Sequence, residues 1–180
     1  MGESDVKLFG RWPSPFAMRP RIALNIKSVG YELLEEKSGV KSDLLIKSNP
    51  VYKKIPVLIH GDKSICESLV IVQYIDEAWS SGPSILPSDA YDRATARFWA
   101  AYIDDKKCSK GKAFFGGDSI GYLDIALGSF LGWIRVMELD GLTILDAEKT
   151  PGLVGWAEKF CADSAVKEVM PETGEVSRVC

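Results

Sequence analysis

The alternation of strand and helix signals over residues 1–80 constrains the fold of this chain more than any other feature. Short apolar runs predict strands at 6–9, 31–35, 56–60 and 63–66, and helical spacing of apolar residues predicts helices at 15–29, 42–48 and 67–79. The Gly61-Asp62 pair predicts a hairpin between the last two strands. The resulting order, β-α-β-α-β-β-α, is typical of a small α/β domain.

A segment rich in glycine, proline and serine follows at residues 80–89 and predicts a domain boundary. Beyond it the signals are helical, at 91–106, 121–138 and 151–162. The stretch 121–138 is apolar nearly all round, which predicts one helix that is buried on every side. We therefore predict a first domain at 1–80, a linker at 81–90 and an all-helical domain at 91–180.

Composition excludes several classes of function. The 180 residues carry a net charge of −3, which argues against a nucleic acid or an anionic membrane surface as partner. The longest apolar stretch, 122–137, contains Asp124 and Arg135 and is too short to span a bilayer comfortably. Four widely spaced cysteines and a single histidine offer no zinc-ligand spacing, so we expect no metal, reduced thiols and a cytoplasmic location. The acidic, polar start of the chain predicts no secretory signal.

Ser14 lies where a predicted strand gives way to a helix. Pro15 follows it at the first helical position, a common helix-start signal. The positive end of the helix dipole is therefore close to the Ser14 hydroxyl. A serine at this position usually serves as a helix N-cap, and that interpretation stays open beside a role in binding an anion.

Two further features of the first domain point to a ligand of peptide type. Pro56 begins a strand and leaves Ile55 extended, so that the N–H and C=O groups of Ile55 are free to pair with an incoming peptide. The Ile55–Pro56 bond can be cis or trans. Glu67 and Ser68 stand at a helix start, where amide groups, a hydroxyl and the dipole can hold a carboxylate.

These motifs closely resemble the plant tau class of cytosolic glutathione transferases. The resemblance covers most of residues 6–172 and rests on five segments in order: 12–16, 48–57, 65–68, 84–87 and 96–99. It implies a thioredoxin-like α/β N-terminal domain and an all-α C-terminal domain. It also implies a cytoplasmic enzyme of detoxification and stress response that conjugates glutathione, as a co-substrate, to electrophilic apolar small molecules without a resident cofactor.

The resemblance further implies roles for individual residues. Ser14 would donate a hydrogen bond to the glutathione sulfur, and Ile55 would pair its backbone with the cysteinyl unit. Glu67 and Ser68 would hold the γ-glutamyl end. The glycyl carboxylate would face Lys41 and Lys54, which could equally be ordinary surface lysines.

A serine at position 14 also favours one chemistry over another. Because serine cannot form a mixed disulfide, Ser14 favours presenting a thiolate to an electrophile over thiol exchange. The pocket for that electrophile has four candidate residues, each of which could instead belong to the core: Phe16, Trp99, Tyr102 and Trp156.

The helical half departs from the family pattern. We expect that a long segment of the family pattern is absent between Lys106 and Cys108. The tail 171–180 lacks apolar periodicity where relatives continue into a final helix. We therefore expect the second-substrate pocket and the usual homodimer to be altered, with side chains such as Phe130 and Met137 in need of new cover. Two alternatives to a transferase follow: a non-catalytic carrier of glutathione or other ligands, and a glutathione-dependent peroxidase.

Overall fold

A four-stranded mixed sheet forms the centre of the N-terminal half. The computed structural model describes residues 5–37, 41–106, 114–115, 118–139 and 141–171. The strands are β1 (Val6–Gly10), β2 (Glu32–Glu35), β3 (Val57–His60) and β4 (Lys63–Cys66), in the spatial order β2-β1-β3-β4. Strand β1 runs parallel to β2 and antiparallel to β3, and β4 completes the predicted hairpin with β3.

The helices of this half are α1 (Pro15–Ile26), α2 (Asp43–Ser48) and α3 (Ser68–Ala78). The predicted order of elements is therefore correct. Helix α1 ends three residues before the predicted residue 29, because Ser28 adopts φ 54°, outside the helical region. Helices α1 and α3 pack together, and their buried faces share one apolar core with the sheet through Leu8, Ile22 and Ile71.

The helical half contains α4 (Ala90–Lys106), α5 (Tyr122–Gly128), α6 (Leu131–Leu139), α7 (Pro151–Ala162) and α8 (Ser164–Lys167). Helix α7 has the predicted bounds, and the short helix α8 was not predicted. The junction at 107–113 and the tail at 172–180 lie outside the described residues. Among the helices that the structure does describe, none has the length and apolar character needed to cross a bilayer.

The single helix predicted at 121–138 is in fact two helices, and this prediction was wrong. The break lies at Ser129 and Phe130, where the Phe130 N–H donates to the carbonyl of Leu127 rather than to that of Ala126. The Ala126 carbonyl instead accepts from the Arg19 guanidinium at 2.8 Å and from the Ser129 hydroxyl at 3.2 Å. Because α1 supplies a competing donor, the helical hydrogen-bond ladder is interrupted.

The same arginine ties the two halves together. Arg19 is fully buried, and its side chain reaches Ser68 on α3, Asp104 on α4, and Ser129. With the Ala126 carbonyl, these partners account for all five N–H donors of the guanidinium. A buried charge is tolerated when it is fully paired in this way.

The linker packs against the N-terminal half instead of hanging free. The Asp76 carboxylate on α3 accepts from the backbone N–H groups of Ile85 and Leu86, at 3.0 and 2.8 Å, and pairs with the buried Lys27 ammonium at 2.7 Å. Both linker side chains are buried. The domain boundaries at 80 and 90 stay a prediction.

The apolar helices α5 and α6 are covered by one core that spans both halves. Leu127, Leu131 and Ile134 are buried, and Phe130 and Met137 pack partly buried against the same core. In the helical half, the exposed aromatic residues that the structure describes lie on α4, where Phe98 is 61% and Trp99 45% exposed.

Asp124 is a fully buried carboxylate at the start of α5. It accepts from the Gly121 N–H at 3.0 Å, and from the Phe115 N–H and the Trp156 indole N–H at 2.9 and 2.8 Å. Burial raises the pKa of Asp124, although these three donors oppose the rise.

This arrangement predicts a pH-dependent effect of Asp124→Asn. The amide leaves one of the three donors without an acceptor, which lowers the free energy of unfolding by about 1–3 kcal/mol. Because the folded pKa is raised, the wild-type carboxyl favours folding most below its unfolded pKa of about 3.9 and loses that advantage as the pH rises through the folded pKa. Urea unfolding should therefore show a larger gap between wild type and variant near pH 4 than near pH 7. A gap that widens as the pH rises would contradict the assignment.

Candidate functional site

The candidate residues from the sequence converge because the strand register brings their elements to one edge of the sheet. Phe9, Val57 and Cys66 pair in one row across β1, β3 and β4. The loop to α1 leaves β1 just after this row, Ile55 precedes β3, and Glu67 follows β4. The turn that carries Ser14, the backbone of Ile55 and the start of α3 therefore lie at the same end of neighbouring strands.

Ser14 is the N-cap of α1. Its Oγ accepts a hydrogen bond from the Ala17 N–H at 3.3 Å, and the side chain is partly exposed. An accepting hydroxyl retains its own hydrogen for donation. The capping and ligand-binding interpretations of Ser14 are therefore compatible.

The Ile55–Pro56 bond is cis. In the part of the chain that the structure describes, the pairing of β3 with its neighbours begins at Val57. Ile55 therefore lies outside the hydrogen-bonded ladder of the sheet. The Asn49 side chain braces this loop, since it donates to the Lys54 carbonyl at 3.0 Å and accepts from the Tyr52 N–H at 3.1 Å. The backbone of Ile55 is thus held on a fixed loop beside the start of β3.

The start of α3 combines a strained backbone with free amide groups. Glu67 adopts φ 70° and ψ 118°, a conformation that costs a non-glycine residue about 1–3 kcal/mol and is frequent at ligand-binding sites. Its side chain is exposed and makes no capping bond. The first N–H groups of a helix lack partners within the helix, so this end of α3 can bind an anion.

Ser68, the first residue of α3, is buried and bonded to Arg19 of α1. Its Oγ accepts from the Arg19 guanidinium at 3.1 Å, and Arg19 is in turn paired with Asp104 on α4. The oxygen of the Ser68 hydroxyl is therefore held by Arg19, and its hydrogen is available for a ligand.

Lys41 and Lys54 are both exposed, and Lys54 directly precedes Ile55. Lys41 precedes α2, whose start is anchored because the buried Glu36 carboxylate accepts from the N–H and hydroxyl of Ser42 at 2.6 and 2.9 Å. This anchoring places the backbone of residue 41 without holding its side chain.

The four candidates for the second-substrate pocket separate into three groups. Phe16 follows Ser14, is 43% exposed and packs edge-to-face with Phe130 at 5.6 Å. Trp99 and Tyr102 form an edge-to-face pair on α4. Trp156 is only 4% exposed, because its ring packs against Phe115 and Phe160 and its N–H is donated to Asp124. Trp156 is therefore a core residue and no candidate for the pocket.

Comparisons with known proteins decide the family. The family model of the glutathione S-transferase N-terminal domain matches residues 4–77, and that of the C-terminal domain matches 88–159. Glutathione S-transferase U17 of Arabidopsis thaliana is 57% identical, over 98% of this chain and 95% of the relative. The tau class glutathione S-transferase MiGSTU from mango superimposes with a TM-score of 0.94 at 58% identity, covering 99% of this chain and 98% of that structure. The chain is a tau-class glutathione S-transferase.

Membership in this family confirms the predicted thioredoxin-like α/β half followed by an all-helical half. Rice GST1 (OsGSTU1), solved in complex with glutathione, has a TM-score of 0.89 at 35% identity, with 99% of this chain and 96% of that structure covered. The alignment with the Arabidopsis protein has 215 positions against 180 residues here, so at least 35 of its positions have no counterpart in this transferase. The segment expected to be absent between Lys106 and Cys108 stays a prediction.

Sequence reasoning missed two residues that shape the site of this transferase. Arg19 was not singled out, although an arginine on the apolar side of a predicted helix is a signal of a buried charge pair. Trp133 on α6 donates its indole N–H to the Pro13 carbonyl at 2.9 Å, next to Ser14. Trp133 was overlooked because the stretch 121–138 was interpreted as uniformly buried, yet this side chain is only partly buried.

The remaining titratable groups near the site are structural. The Cys66 thiol packs against the cluster of Phe9, Leu45 and Val57 and donates to the Ser48 carbonyl at 3.6 Å. Burial, and secondarily the Glu67 carboxylate, raise the pKa of this thiol, which makes it a weak nucleophile at neutral pH. Among the residues that the structure describes, no cluster of histidine, cysteine or carboxylate side chains could hold a metal ion.

The Arg19–Asp104 pair predicts a large loss of stability in Asp104→Ala. Removal of the carboxylate leaves a fully buried guanidinium without its counter-charge, which lowers the free energy of unfolding by about 3 kcal/mol. This value is at the lower end of the usual range because the Asp104 side chain is 34% exposed. Urea unfolding measures the change. Glu158→Ala, at an exposed carboxylate on α7, is the matched control and should shift the unfolding free energy by less than about 0.5 kcal/mol. Equal effects of the two variants would contradict a pairing role for Asp104.

Proposed function

We propose that this transferase joins the sulfur of glutathione to electrophilic, apolar small molecules, with Ser14 stabilising the thiolate. In the reaction with an aryl halide, the thiolate attacks the carbon that bears the halogen and a C–S bond forms. The C–halogen bond breaks, the halide leaves with its electron pair, and the thiol proton passes to solvent. The observation that carries the proposal is a Ser14 hydroxyl that caps α1 and retains its hydrogen for donation.

One hydrogen bond and a helix N-terminus supply enough free energy to stabilise the thiolate. Half ionisation at pH 7 of a thiol with a pKa of about 8.5 requires a shift of about 1.5 units, or roughly 2 kcal/mol. A hydrogen bond to a charged acceptor supplies about 1.5–3 kcal/mol, and a helix N-terminus adds about 0.3–1 kcal/mol. One serine at the start of α1 therefore activates the sulfur without a general base.

The rest of glutathione would be bound along the same edge of the sheet. We propose that the Ile55 backbone pairs with the cysteinyl unit and that the N-terminal amides of α3, with Glu67 and the Ser68 hydroxyl, hold the γ-glutamyl end. Lys41 and Lys54 would attract the glycyl carboxylate from the surface. Support for this orientation comes from the loop before β3 that Asn49 braces, the backbone of Glu67, and the bond from Arg19 to the Ser68 oxygen.

The electrophile would meet the sulfur beside Phe16, with Trp99 and Tyr102 on α4 as further candidates for its pocket. Glutathione is a co-substrate in this proposal, and no resident cofactor takes part. A cytosolic location is proposed with it, since Cys66 and Cys161 are free thiols in the part of the chain that the structure describes.

Ser14→Ala tests the function directly. Loss of the hydroxyl should raise the pKa of bound glutathione by about 1–2 units and lower kcat/KM for an activated aryl chloride at pH 7 about tenfold or more. Ser14→Thr keeps a hydroxyl and should retain most of the activity. Ser64→Ala, at an exposed position on β4, is the control for a serine outside the site. Unchanged turnover in Ser14→Ala would exclude the proposed role.

Two other outcomes of the same assay would favour the alternative functions. Glutathione binding by calorimetry without turnover of any electrophile would support the carrier. Turnover of an organic hydroperoxide but not of the aryl chloride would support the peroxidase.

We also propose that the transferase forms a homodimer in which the apolar side chains of α4 are covered. Tyr91, Phe98 and Trp99 on this helix are exposed, and such a group of aromatic residues favours association. Light scattering should give twice the chain mass of 19.8 kDa, and Phe98→Glu should shift the protein toward the monomer. A wild-type protein that is monomeric at high concentration would contradict this proposal.

A further inference from the structure

A single hydrogen bond connects the turn that carries Ser14 to the helical half. The indole N–H of Trp133, in the first turn of α6, donates to the carbonyl of Pro13 at 2.9 Å, across 120 positions of sequence. On the other side of the same peptide group, the Ser14 N–H donates to the Arg11 carbonyl at 3.1 Å. Both polar atoms of the Pro13–Ser14 peptide are therefore engaged.

This peptide determines where the Ser14 hydroxyl points. With its carbonyl and N–H both held, the peptide plane is fixed, and Ser14 leaves it with φ −73° and ψ 117°. The capping bond from the Ala17 N–H to the Ser14 Oγ is 3.3 Å, beyond the usual range for N–H···O bonds. The local cap is thus a weak restraint, and the restraint from Trp133 is the better formed of the two.

Trp133 is placed for this contact by the break between α5 and α6. Arg19 and Ser129 both bond to the Ala126 carbonyl, and a new helix starts at Leu131. The indole of Trp133 then lies partly buried beside the buried Pro13. The helical half thereby contacts the turn at the residue before Ser14.

We infer that Trp133 is a positioning residue for thiolate stabilisation, acting through the Pro13 carbonyl on the orientation of the Ser14 hydroxyl. The inference rests on the proposed role of Ser14. This role differs from that of a tryptophan that only lines the pocket. The indole N–H would affect the ionisation of glutathione, whereas a ring that only lined the pocket would affect binding of the electrophile.

Trp133→Phe removes the N–H and keeps an aromatic ring. We expect the pKa of bound glutathione, followed by the ultraviolet absorbance of the thiolate as the pH is varied, to rise by about 0.5–1 unit. The pH profile of kcat/KM should move by the same amount, with little change in the KM for the electrophile. Trp79→Phe, at the partly buried tryptophan that follows α3 and stacks on His60, is the matched control and should leave the pKa unchanged.

Parallel titration of Ser14→Ala distinguishes the proposed role of Ser14 from the inferred role of Trp133. If Ser14→Ala does not raise the pKa of glutathione, the proposed function fails. If Ser14→Ala raises the pKa of glutathione and Trp133→Phe does not, only the inference about Trp133 is overturned. The inference about Trp133 is also overturned if Trp133→Phe changes only the KM for the electrophile. Should Trp133→Phe fail to fold, benzothienylalanine at position 133 replaces the N–H by sulfur in a ring of the same shape, and the same shift is expected.

Discussion

The fully paired guanidinium of Arg19 is the interaction on which the rest of this structure depends. An arginine at 0% exposure is tolerated only if every donor finds an acceptor, and its acceptors come from α3, α4 and the junction of α5 and α6. The rings of Phe16 and Phe130 lie over the same cation, each 5.2 Å from it. Satisfaction of one buried charge therefore sets the relative position of the two halves.

The candidate thiol site depends on this junction at two points. Arg19 holds the acceptor side of the Ser68 hydroxyl, and the helix break at the Ala126 carbonyl places α6 so that Trp133 reaches Pro13. The residues assigned to glutathione lie in the N-terminal half. The turn of Ser14 is contacted directly from the helical half by Trp133, and Ser68 is bonded to Arg19, which is itself paired with Asp104 of the helical half.

Local patterns in the sequence were enough to predict the order of elements in the N-terminal half and the helix start at Ser14, because each depends on neighbours within a few residues. The break at Ser129 could not be predicted in the same way, since it is caused by Arg19, 107 positions away from the Ala126 carbonyl. Trp133 and Trp156 look alike in the sequence, both being tryptophans in apolar helical stretches. Only the tertiary structure separates the one that reaches the turn of Ser14 from the one whose N–H is donated to the buried Asp124.

The central claim is that a serine hydroxyl at a helix N-terminus, held from both halves of the protein, lowers the pKa of a bound thiol. The most direct measurement is a pH titration of the thiolate absorbance of glutathione on the saturated wild-type protein. The account predicts an apparent pKa about one unit or more below the value of about 8.5 for an ordinary thiol. Glutathione that binds with the pKa of the free thiol would contradict it.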